Sequence, residues 1–310
     1  MRLAVDRATP VLVQGMTGRA GRQHTRLMRE YGTRIVAGVS PTSDTRDVDG
    51  IPVFPSCREA VAATRAKASV LFVGALQLLG AMREAVEAGI ELVVTPTEGM
   101  PVHDAVAALR AVRAAGATWV GASTPGMAVP GQVKLGFLPD SSLMPGPLAI
   151  ASKSGTLSYE AGYRLAQNGI GQSIWIGVGG DPVKGTRFAE LVSFYAAHEA
   201  TRAVLIIGEI GGSEEEEFAQ ALADQRFSKP VFALIAGRSS PHGVTMGHAG
   251  ALVHGRHGTY AAKRAALEAA GVTVFSALDE MVAGIRRWHS GASPDSPFDK
   301  PVPSSAEGPV

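Results

Sequence analysis

The chain has 310 residues, of which 45% are hydrophobic and 18% are charged, and its formal net charge is +1. This composition is typical of a folded protein with a large core and excludes global disorder. A length of 310 residues is long for one domain and comfortable for two. The near-neutral charge gives no electrostatic basis for binding nucleic acid or a membrane surface.

Apolar runs such as 203–207 and 231–235 are far shorter than the roughly 20 residues that a membrane helix needs. The N-terminus lacks the basic and apolar regions of a secretion signal, so we expect none. The single cysteine, Cys57, excludes an intrachain disulfide and favours a reducing, cytoplasmic location.

The first 121 residues alternate between short β-branched segments and longer segments rich in Ala, Leu, Arg and Glu. The predicted strands are 11–14, 34–39, 69–73, 92–95 and 118–121. The predicted helices are 22–31, 57–64, 78–88 and 102–115. Gly32, Gly89 and Gly116 stand where left-handed helix caps are expected. This alternation predicts a doubly wound parallel α/β sheet.

Residues 125–147 are rich in Pro and Gly and have little helical periodicity, so we interpret them as a link between two domains. The alternation then resumes. The predicted strands are 148–152, 173–178, 203–208, 231–236 and 272–275, and the predicted helices are 156–168, 186–197, 213–225 and 259–270. We therefore predict domains at 1–145 and 146–290, followed by a flexible tail at 291–310 that is rich in Pro and Ser.

The helix predicted at 213–225 opens with four consecutive glutamates. Ser213 and Glu216 have the spacing of a capping box, and acidic residues suit the positive end of a helix. The pattern therefore predicts a solvent-exposed acidic first turn at 214–217.

A glycine-rich turn follows the first predicted strand and opens the first helix. Gly15, Gly18 and Gly21 recur at every third position. Such a turn can approach a phosphate closely, and the helix N-terminus offers N–H donors to an anion. Close packing of the turn against its own sheet is the alternative explanation.

A dinucleotide site is the other ligand that such a turn serves. It requires an acidic residue at the end of the second strand to bind the ribose. The sequence there is Val-Ser-Pro at 39–41, and Asp44 lies further along in a loop. The missing carboxylate weakens the interpretation as an NAD(P)-dependent reductase.

One of the eight histidines, His248, lies between glycines and other small residues after a strand and a long loop. Two other strand ends carry groups that suit it. Ser-Lys-Ser-Gly-Thr at 152–156 can hold a phosphoryl group, and Glu209 can hydrogen-bond one imidazole nitrogen. The residues alone leave two alternatives for His248, a catalytic nucleophile and a packed or capping histidine.

Several segments in order resemble the alpha subunit of succinyl-CoA synthetase and related two-subunit acid–CoA ligases. They are Ser-Gly-Thr-Leu-Ser-Tyr-Glu-Ala at 154–161, Gly-Gln-Ser at 171–173, Gly-Val-Gly-Gly-Asp-Pro at 177–182, Ile-Gly-Glu-Ile-Gly-Gly at 207–212 and Met-Gly-His-Ala-Gly-Ala at 246–251. The resemblance runs from about residue 11 to residue 281. It implies an N-terminal Rossmann-like CoA-binding domain followed by a flavodoxin-like doubly wound ligase domain.

The same resemblance implies that His248 is phosphorylated and that Glu209 orients it. The phosphate-binding residues that it implies, at the start of a helix, are Ser154, Gly155 and Thr156. The CoA-binding residues that it implies are Gly15, Thr17, Gly18, Arg19, Gly21, Ser43, Val73, Thr97 and Glu98. No metal site is expected on this chain.

The resemblance also implies a partner. ATP or GTP, with Mg, is bound by a beta-type subunit of the ATP-grasp class, in a heterodimer or heterotetramer. The phosphoryl group passes from the nucleotide to His248 and then to a small carboxylate, and a thiol finally displaces phosphate. The chain itself lacks a Gly-x-x-x-x-Gly-Lys-Ser/Thr loop, in keeping with a nucleotide site on the partner.

Three departures from the family fall in the CoA-binding half. Ser43 stands in place of a CoA-binding lysine, beside Asp44, and Arg46 is our candidate to compensate. Ser123 and Thr124 replace Asn and Cys, and Gly-Ala-Leu-Gln at 74–77 replaces a Pro-rich turn. These changes favour a specialised relative with a different acid or acceptor. The alternatives are a ligase with a non-CoA acceptor and a non-catalytic acyl-CoA-binding relative.

Overall fold

A computed structural model describes residues 1, 3–240, 248, 253 and 258–291. The strands in its first half are β1 (Val11–Gln14), β2 (Ile35–Val39), β3 (Asp47–Val48), β4 (Ile51–Phe54), β5 (Ala68–Leu71), β6 (Leu92–Thr95) and β7 (Thr118–Gly121). They form one seven-stranded sheet in the order β3-β4-β2-β1-β5-β6-β7. Every pair is parallel except β3 with β4. The helices between the strands are α1 (Arg19–Tyr31), α2 (Cys57–Thr64), α3 (Leu78–Glu87) and α4 (Val102–Ala114).

The second half forms another seven-stranded sheet. Its strands are β8 (Gly126–Val129), β9 (Val133–Gly136), β10 (Pro145–Ser152), β11 (Gln172–Gly177), β12 (Ala203–Glu209), β13 (Val231–Ala236) and β14 (Thr273–Phe275). Their order is β14-β13-β12-β10-β11-β8-β9, and only the β11–β8 and β8–β9 pairs are antiparallel. The helices are α5 (Gly155–Gln167), α6 (Phe188–Ala197), α7 (Glu214–Asp224), α8 (Tyr260–Ala269) and α9 (Leu278–Ser290).

Both sheets are covered on both faces, which explains their nearly continuous apolar strands. Successive residues of β1 belong to different core clusters, with Val11 and Val13 in one and Leu12 in another. The cluster that contains Val13 also contains Ala149 and Ile176 of the second sheet. One apolar core therefore extends across both sheets and sets their carboxyl ends side by side.

The predicted α/β class and the order of the predicted helices and strands are confirmed, with boundaries that differ by up to three residues. The interpretation of 125–147 as only a link is wrong, because β8 and β9 lie in it and extend the second sheet. Gly126 and Gly136 face each other there, and a β-carbon on either would lie within 2.4 Å of a backbone oxygen of the opposite strand. The absence of helical periodicity does not exclude an antiparallel hairpin, because side chains along a strand alternate with a period of two. Helix α9 was also not predicted.

The division at residue 145 stays a prediction, and the tail beyond residue 291 lies outside the described residues. Within the part of the chain that the structure describes, no helix is long and apolar enough to cross a membrane.

Candidate active site

The imidazole of His248 is paired with the carboxylate of Glu209, the last residue of β12. His248 Nδ1 lies 2.6 Å from Glu209 Oε2, and the two side chains are 26% and 9% exposed. Since a carboxylate only accepts hydrogen bonds, Nδ1 carries the proton and Nε2 is the nitrogen available to a substrate. The hydrogen bond to Glu209 raises the pKa of His248 above its ordinary value, against the opposing effect of burial.

A glycine backbone covers the other side of the imidazole. A β-carbon on Gly180, in the segment between β11 and α6, would lie 2.4 Å from Cγ of His248 and 2.5 Å from Nδ1. No larger residue fits between this backbone and the ring. The imidazole is therefore held between Glu209 and Gly180.

Helix α5 begins beside His248. Its N-cap, Ser154, accepts a hydrogen bond from the backbone N–H of Leu157 at 3.3 Å. Ser154, Gly155 and Thr156 line a cavity of about 280 Å³ together with His248. The first turn of a helix has N–H groups without helical partners, so this cavity suits an anion next to the imidazole.

Residues from the first half line the same cavity. They include Glu98 and Ser123, while Lys153, Phe137 and Tyr159 come from the second half. Burial raises the pKa of the Tyr159 phenol to about 12, so this hydroxyl stays neutral. The cavity therefore lies where the carboxyl ends of the two sheets meet, which is the expected position for a ligand in such folds.

The glycine-rich turn before α1 is sterically constrained at two of its three glycines. A β-carbon on Gly15 would lie 2.4 Å from the carbonyl oxygen of Phe72, and one on Gly21 would lie 2.1 Å from that of Gly15. At Gly18 the nearest atom is 3.4 Å away, an ordinary contact. Gly18 caps α1, and Arg19 is its first residue. The tight turn leaves the N-terminus of α1 accessible to a phosphate.

The remaining residues implied for CoA connect this turn to the cavity. The hydroxyls of Thr17 and Ser40 are 2.9 Å apart. The hydroxyl of Thr97 donates to the carbonyl oxygen of Val73 at 2.8 Å. Glu98 follows Thr97 and lines the cavity. A β-carbon on Gly15 would lie 3.3 Å from Val73 Cγ1, so Val73 and Thr97 lie between the predicted phosphate turn and the predicted thiol end.

Residues at the departures from the family pattern form hydrogen bonds with groups near them. Arg46 Nη1 donates to the carbonyl oxygen of Ser43 at 3.0 Å, so its guanidinium lies beside the residue that stands in place of the lysine. Ser123 Oγ donates to Glu98 Oε1 at 3.4 Å. The buried hydroxyl of Thr124 donates to the carbonyl oxygen of Gly177 at 2.5 Å and fastens the start of β8 to β11.

The acidic first turn of α7 is only partly solvent-exposed, and the prediction is wrong for Glu214 and Glu215. Glu214 and Glu215 are only 4% and 0% exposed. The predicted capping box is also absent, since the Ser213 hydroxyl donates to Glu217 rather than capping the helix. Three lysines form ion pairs with these two glutamates. We call the five side chains the buried ion cluster, which consists of Lys153, Lys184, Lys263, Glu214 and Glu215.

The buried ion cluster adjoins the site, because Lys153 lines the cavity. Burial lowers the pKa of Lys184. Burial also acts to lower the pKa of Lys153, but the attraction of Glu215 and Glu214 outweighs it and raises the pKa. Burial raises the pKa of Asp181, and the negative charge of Glu98 adds to that effect. Asp181, Lys153 and Lys184 were not among the predicted site residues.

The signals for the missed residues were partly present in the sequence. Asp181 lies within the family-like segment at 177–182, and Lys153 lies between the two serines of 152–154. Lys184 and Lys263 carried no signal, because their partners are distant in sequence. Among the described residues, no group of three or more His, Cys, Asp or Glu is arranged to hold a metal ion.

Two family descriptions match the chain. The CoA binding domain matches residues 6–99, and the CoA-ligase domain matches residues 151–273. The chain is 45% identical to the Archaeoglobus fulgidus succinate–CoA ligase [ADP-forming] subunit alpha 2, over 88% of this chain and 95% of the relative. It is 41% identical to the ADP-forming sulfoacetate-CoA ligase subunit SauD of Bilophila wadsworthia, over 87% of this chain and 94% of the relative.

A solved structure shares the fold. The ATP citrate lyase of Methanosaeta concilii in complex with (3S)-citryl-CoA superposes with a TM-score of 0.84 at 24% identity. The alignment covers 96% of this chain and 52% of the lyase chain, so the chain spans about half the length of that protein. Together with the identity to full-length relatives, these matches show that the chain belongs to the family of succinate–CoA ligase alpha subunits, which are acid–CoA ligase subunits.

Proposed function

We propose that this chain is the alpha-type subunit of a nucleotide-dependent carboxylate–CoA ligase in which His248 carries the phosphoryl group. The observation that carries the proposal is the 2.6 Å pairing of His248 Nδ1 with Glu209 inside the cavity that the start of α5 lines. A carboxylate behind an imidazole and a helix N-terminus before it suit a nucleophile that becomes anionic.

The chemistry divides into three displacements. Nε2 of neutral His248 attacks the terminal phosphorus of the nucleotide, and the nucleoside diphosphate leaves. The oxygen of a carboxylate substrate then attacks the same phosphorus, and the imidazole leaves as an acyl phosphate forms. The sulfur of the CoA thiolate finally attacks the acyl carbon, and inorganic phosphate leaves.

The chain assists these steps by positioning and by charge. Glu209 holds the Nδ1 proton and so keeps Nε2 free to attack. The N–H groups of Gly155 and Thr156, at the start of α5, stabilise the transferred phosphoryl oxygens. Bound CoA supplies the thiol nucleophile. The turn at 15–21 binds its phosphates, and Thr97 and Glu98 lie near its thiol end.

A nucleotide-binding beta-type subunit of the ATP-grasp class completes the enzyme in this proposal. The relatives that carry the name of a subunit support such a partner. ATP or GTP, with Mg, is bound there. The cytoplasmic location expected from the sequence belongs to the same proposal, because the reaction consumes a free thiol and suits a reducing compartment.

The acid is a small carboxylate that fits the cavity of about 280 Å³. The sulfoacetate-specific name of one relative supports an acid other than succinate. A non-CoA acceptor is the alternative. It is suggested by Ser43 and Ser123, because each stands where the family pattern has a different residue in the CoA-binding half.

The test uses the chain co-purified with its beta-type partner and γ-³²P-labelled nucleotide. We expect acid-labile, base-stable label on the wild-type chain and none on His248→Asn. Carboxylate and CoA together discharge the label and form acyl-CoA. Label that resists both substrates would contradict the ligase function, and a chain that never labels would be a non-catalytic relative.

Hydroxylamine distinguishes the acceptors. A CoA ligase forms acyl-CoA faster than acyl-hydroxamate when both CoA and hydroxylamine are present. Hydroxamate formation with no response to CoA would favour the alternative of a non-CoA acceptor.

A further inference from the structure

Lys184 is a buried lysine that the proposed chemistry does not use. It lies between β11 and α6, and its side chain is 5% exposed. Its ammonium group lies 2.9 Å from Glu214 Oε2 and donates to the carbonyl oxygen of Gly179 at 2.6 Å. An ammonium group with these two partners is poorly placed to bind a substrate. It connects one helix to one loop.

The loop that Lys184 holds is the one that covers His248. Gly179 precedes Gly180, whose backbone contacts the imidazole so closely that no β-carbon fits. The backbone of Gly179 is confined on its other side by the carbonyl oxygen of Ala122, 2.1 Å from the position of an added β-carbon. The position of this segment therefore determines the space that the imidazole can occupy.

The second contact of His248, with Glu209, is linked to Glu215, the residue that follows Glu214 in α7. Glu215 Oε1 accepts a hydrogen bond from the backbone N–H of Glu209 at 3.1 Å, and Glu209 holds His248 Nδ1. Glu214, adjacent to Glu215, holds Lys184. Both contacts of the imidazole are therefore linked to the first turn of α7. Lys153 bridges Glu214, at 3.4 Å, and Glu215, at 2.9 Å.

We propose that Lys184 is a positioning residue for His248, which through Gly179 and Gly180 fixes the imidazole in line for phosphoryl transfer. This inference rests on the proposed function of His248. Rigid support matters here because a misplacement of about 1 Å in a reacting group can cost about 100-fold in rate.

The charge of Lys184 also reaches the imidazole. The pKa of His248 is raised first by its hydrogen bond to Glu209, and the charge of Glu98 adds to this while that of Lys184 opposes it. Asp181 is the other carboxyl group whose pKa responds to His248 and Lys184. Removing Lys184 therefore raises the pKa of His248 further, an effect that a purely structural role away from the site does not have.

The competing explanation is that Lys184 only neutralises Glu214. The variant Lys184→Met leaves that buried carboxylate with Lys153 as its one remaining lysine partner, at 3.4 Å, so it destabilises the fold under either explanation. The double variant Lys184→Met/Glu214→Gln removes both charges and keeps an amide oxygen for the backbone N–H of Phe188, which Glu214 now binds at 3.1 Å. A matched control is Lys134→Met/Asp140→Asn, which removes the ion pair of another buried lysine.

We expect the double variant at 184 and 214 to melt near the wild-type temperature. In complex with its partner it labels His248 about 100-fold more slowly, with the nucleotide KM unchanged because the partner binds the nucleotide. The control variant labels at the wild-type rate. Wild-type labelling of the double variant would overturn the proposal and leave Lys184 with a neutralising role only.

An NMR titration of the His248 imidazole in the full chain gives a readout that needs no activity. We expect the titration midpoint and the Nδ1 proton resonance of His248 to change in the double variant and to stay the same in the control. If the wild-type complex fails to label, the proposed function fails, and the titration still tests the positioning. An unchanged imidazole pKa and an unchanged Nδ1 proton resonance in the double variant would overturn it.

Discussion

The backbone N–H of Glu209 donates a 3.1 Å hydrogen bond to the carboxylate of Glu215, a side chain with no solvent exposure. The side chain of the same residue, Glu209, binds His248. The residue that orients the imidazole is thus itself held by a buried charge, which Lys153 and Lys263 neutralise. The order of the site therefore depends on the buried ion cluster.

Glu215→Gln tests this dependence. The change leaves Lys153 with Glu214 alone, at 3.4 Å, and Lys263 with Glu216 alone, at 3.3 Å. Removing one partner of a buried ion pair costs up to about 3–5 kcal/mol of the free energy of unfolding. Urea denaturation at neutral pH measures the loss. The control is Glu217→Gln on the same helix, where the Arg187 pair is about 40% exposed and contributes about 0–1 kcal/mol. Equal losses in the two variants would contradict a structural role for the buried ion cluster.

Glu209→Gln removes the charge behind the imidazole and keeps the size of the side chain. The new amide can donate to Nδ1, which moves the neutral ring's proton to Nε2 and blocks the attacking atom. Loss of the correct tautomer costs about 10⁴-fold in the catalytic histidine of a Ser-His-Asp triad. Single-turnover labelling of His248 in the complex measures the change. Glu160→Gln, on an exposed face of α5, should label normally, and normal labelling of Glu209→Gln would rule out the assigned role.

The raised pKa of His248 predicts the pH dependence of labelling. Only the neutral imidazole attacks, so the rate should rise with pH through a midpoint above the ordinary value of 6.5. In a variant with residual activity, such as Glu209→Gln, the midpoint should fall because the main cause of the shift is gone. A wild-type midpoint at or below 6.5 would contradict the pairing with Glu209.

The raised pKa of His248 also predicts that its contribution to the free energy of unfolding decreases as pH rises. A group whose pKa is higher in the folded state stabilises the fold below its unfolded pKa, near 6.5, and loses that contribution as pH rises through the folded value. The stability difference between wild type and Glu209→Gln should therefore shrink as pH increases above 6.5. Urea midpoints from pH 5.5 to 8.5 measure it.

Gly180→Ala tests the contact with the imidazole. The added methyl group would lie 2.4 Å from Cγ of His248, so the ring must move, and we expect labelling to fall about 100-fold. Gly80→Ala in α3 is the matched control, because no atom lies within 4 Å of its β-carbon position. That control should stabilise the chain by about 0.4–1 kcal/mol and label normally. Similar labelling rates in both variants would contradict the predicted confinement of the ring.

Arg46→Ala tests whether Arg46 takes over the role of the CoA-binding lysine that Ser43 replaces. A charge-assisted hydrogen bond to phosphate contributes about 1–3 kcal/mol, so we expect CoA to bind roughly one to two decades more weakly. Isothermal titration with CoA measures the change, and Ser43→Lys in the Arg46→Ala background should restore it. Arg58→Ala, on an exposed part of α2, is the control. An unchanged affinity in Arg46→Ala would mean that Arg46 does not contact CoA.

Local sequence patterns were sufficient where the physics is local. The three glycines of the turn at 15–21 indicated tight backbone approach, and the structure places tight contacts at Gly15 and Gly21. The contact of Gly180 with His248 joins residues that are distant in sequence, and it was not predicted. The hairpin of β8 and β9 was missed, because its strands are only four residues long and take their stability from β11 rather than from their own sequence.

The sequence by itself determined the α/β alternation, the family, and the choice of His248 and Glu209 as a pair. The alternation follows from residue periodicity. The family and the pair follow from the resemblance of several segments, each at most eight residues long, although His248 and Glu209 are 39 residues apart. Only the tertiary structure decided that Glu214 and Glu215 are buried rather than solvated. Their counter-ions come from Lys153, Lys184 and Lys263, and long-range pairing of charges leaves no periodic signal in the chain.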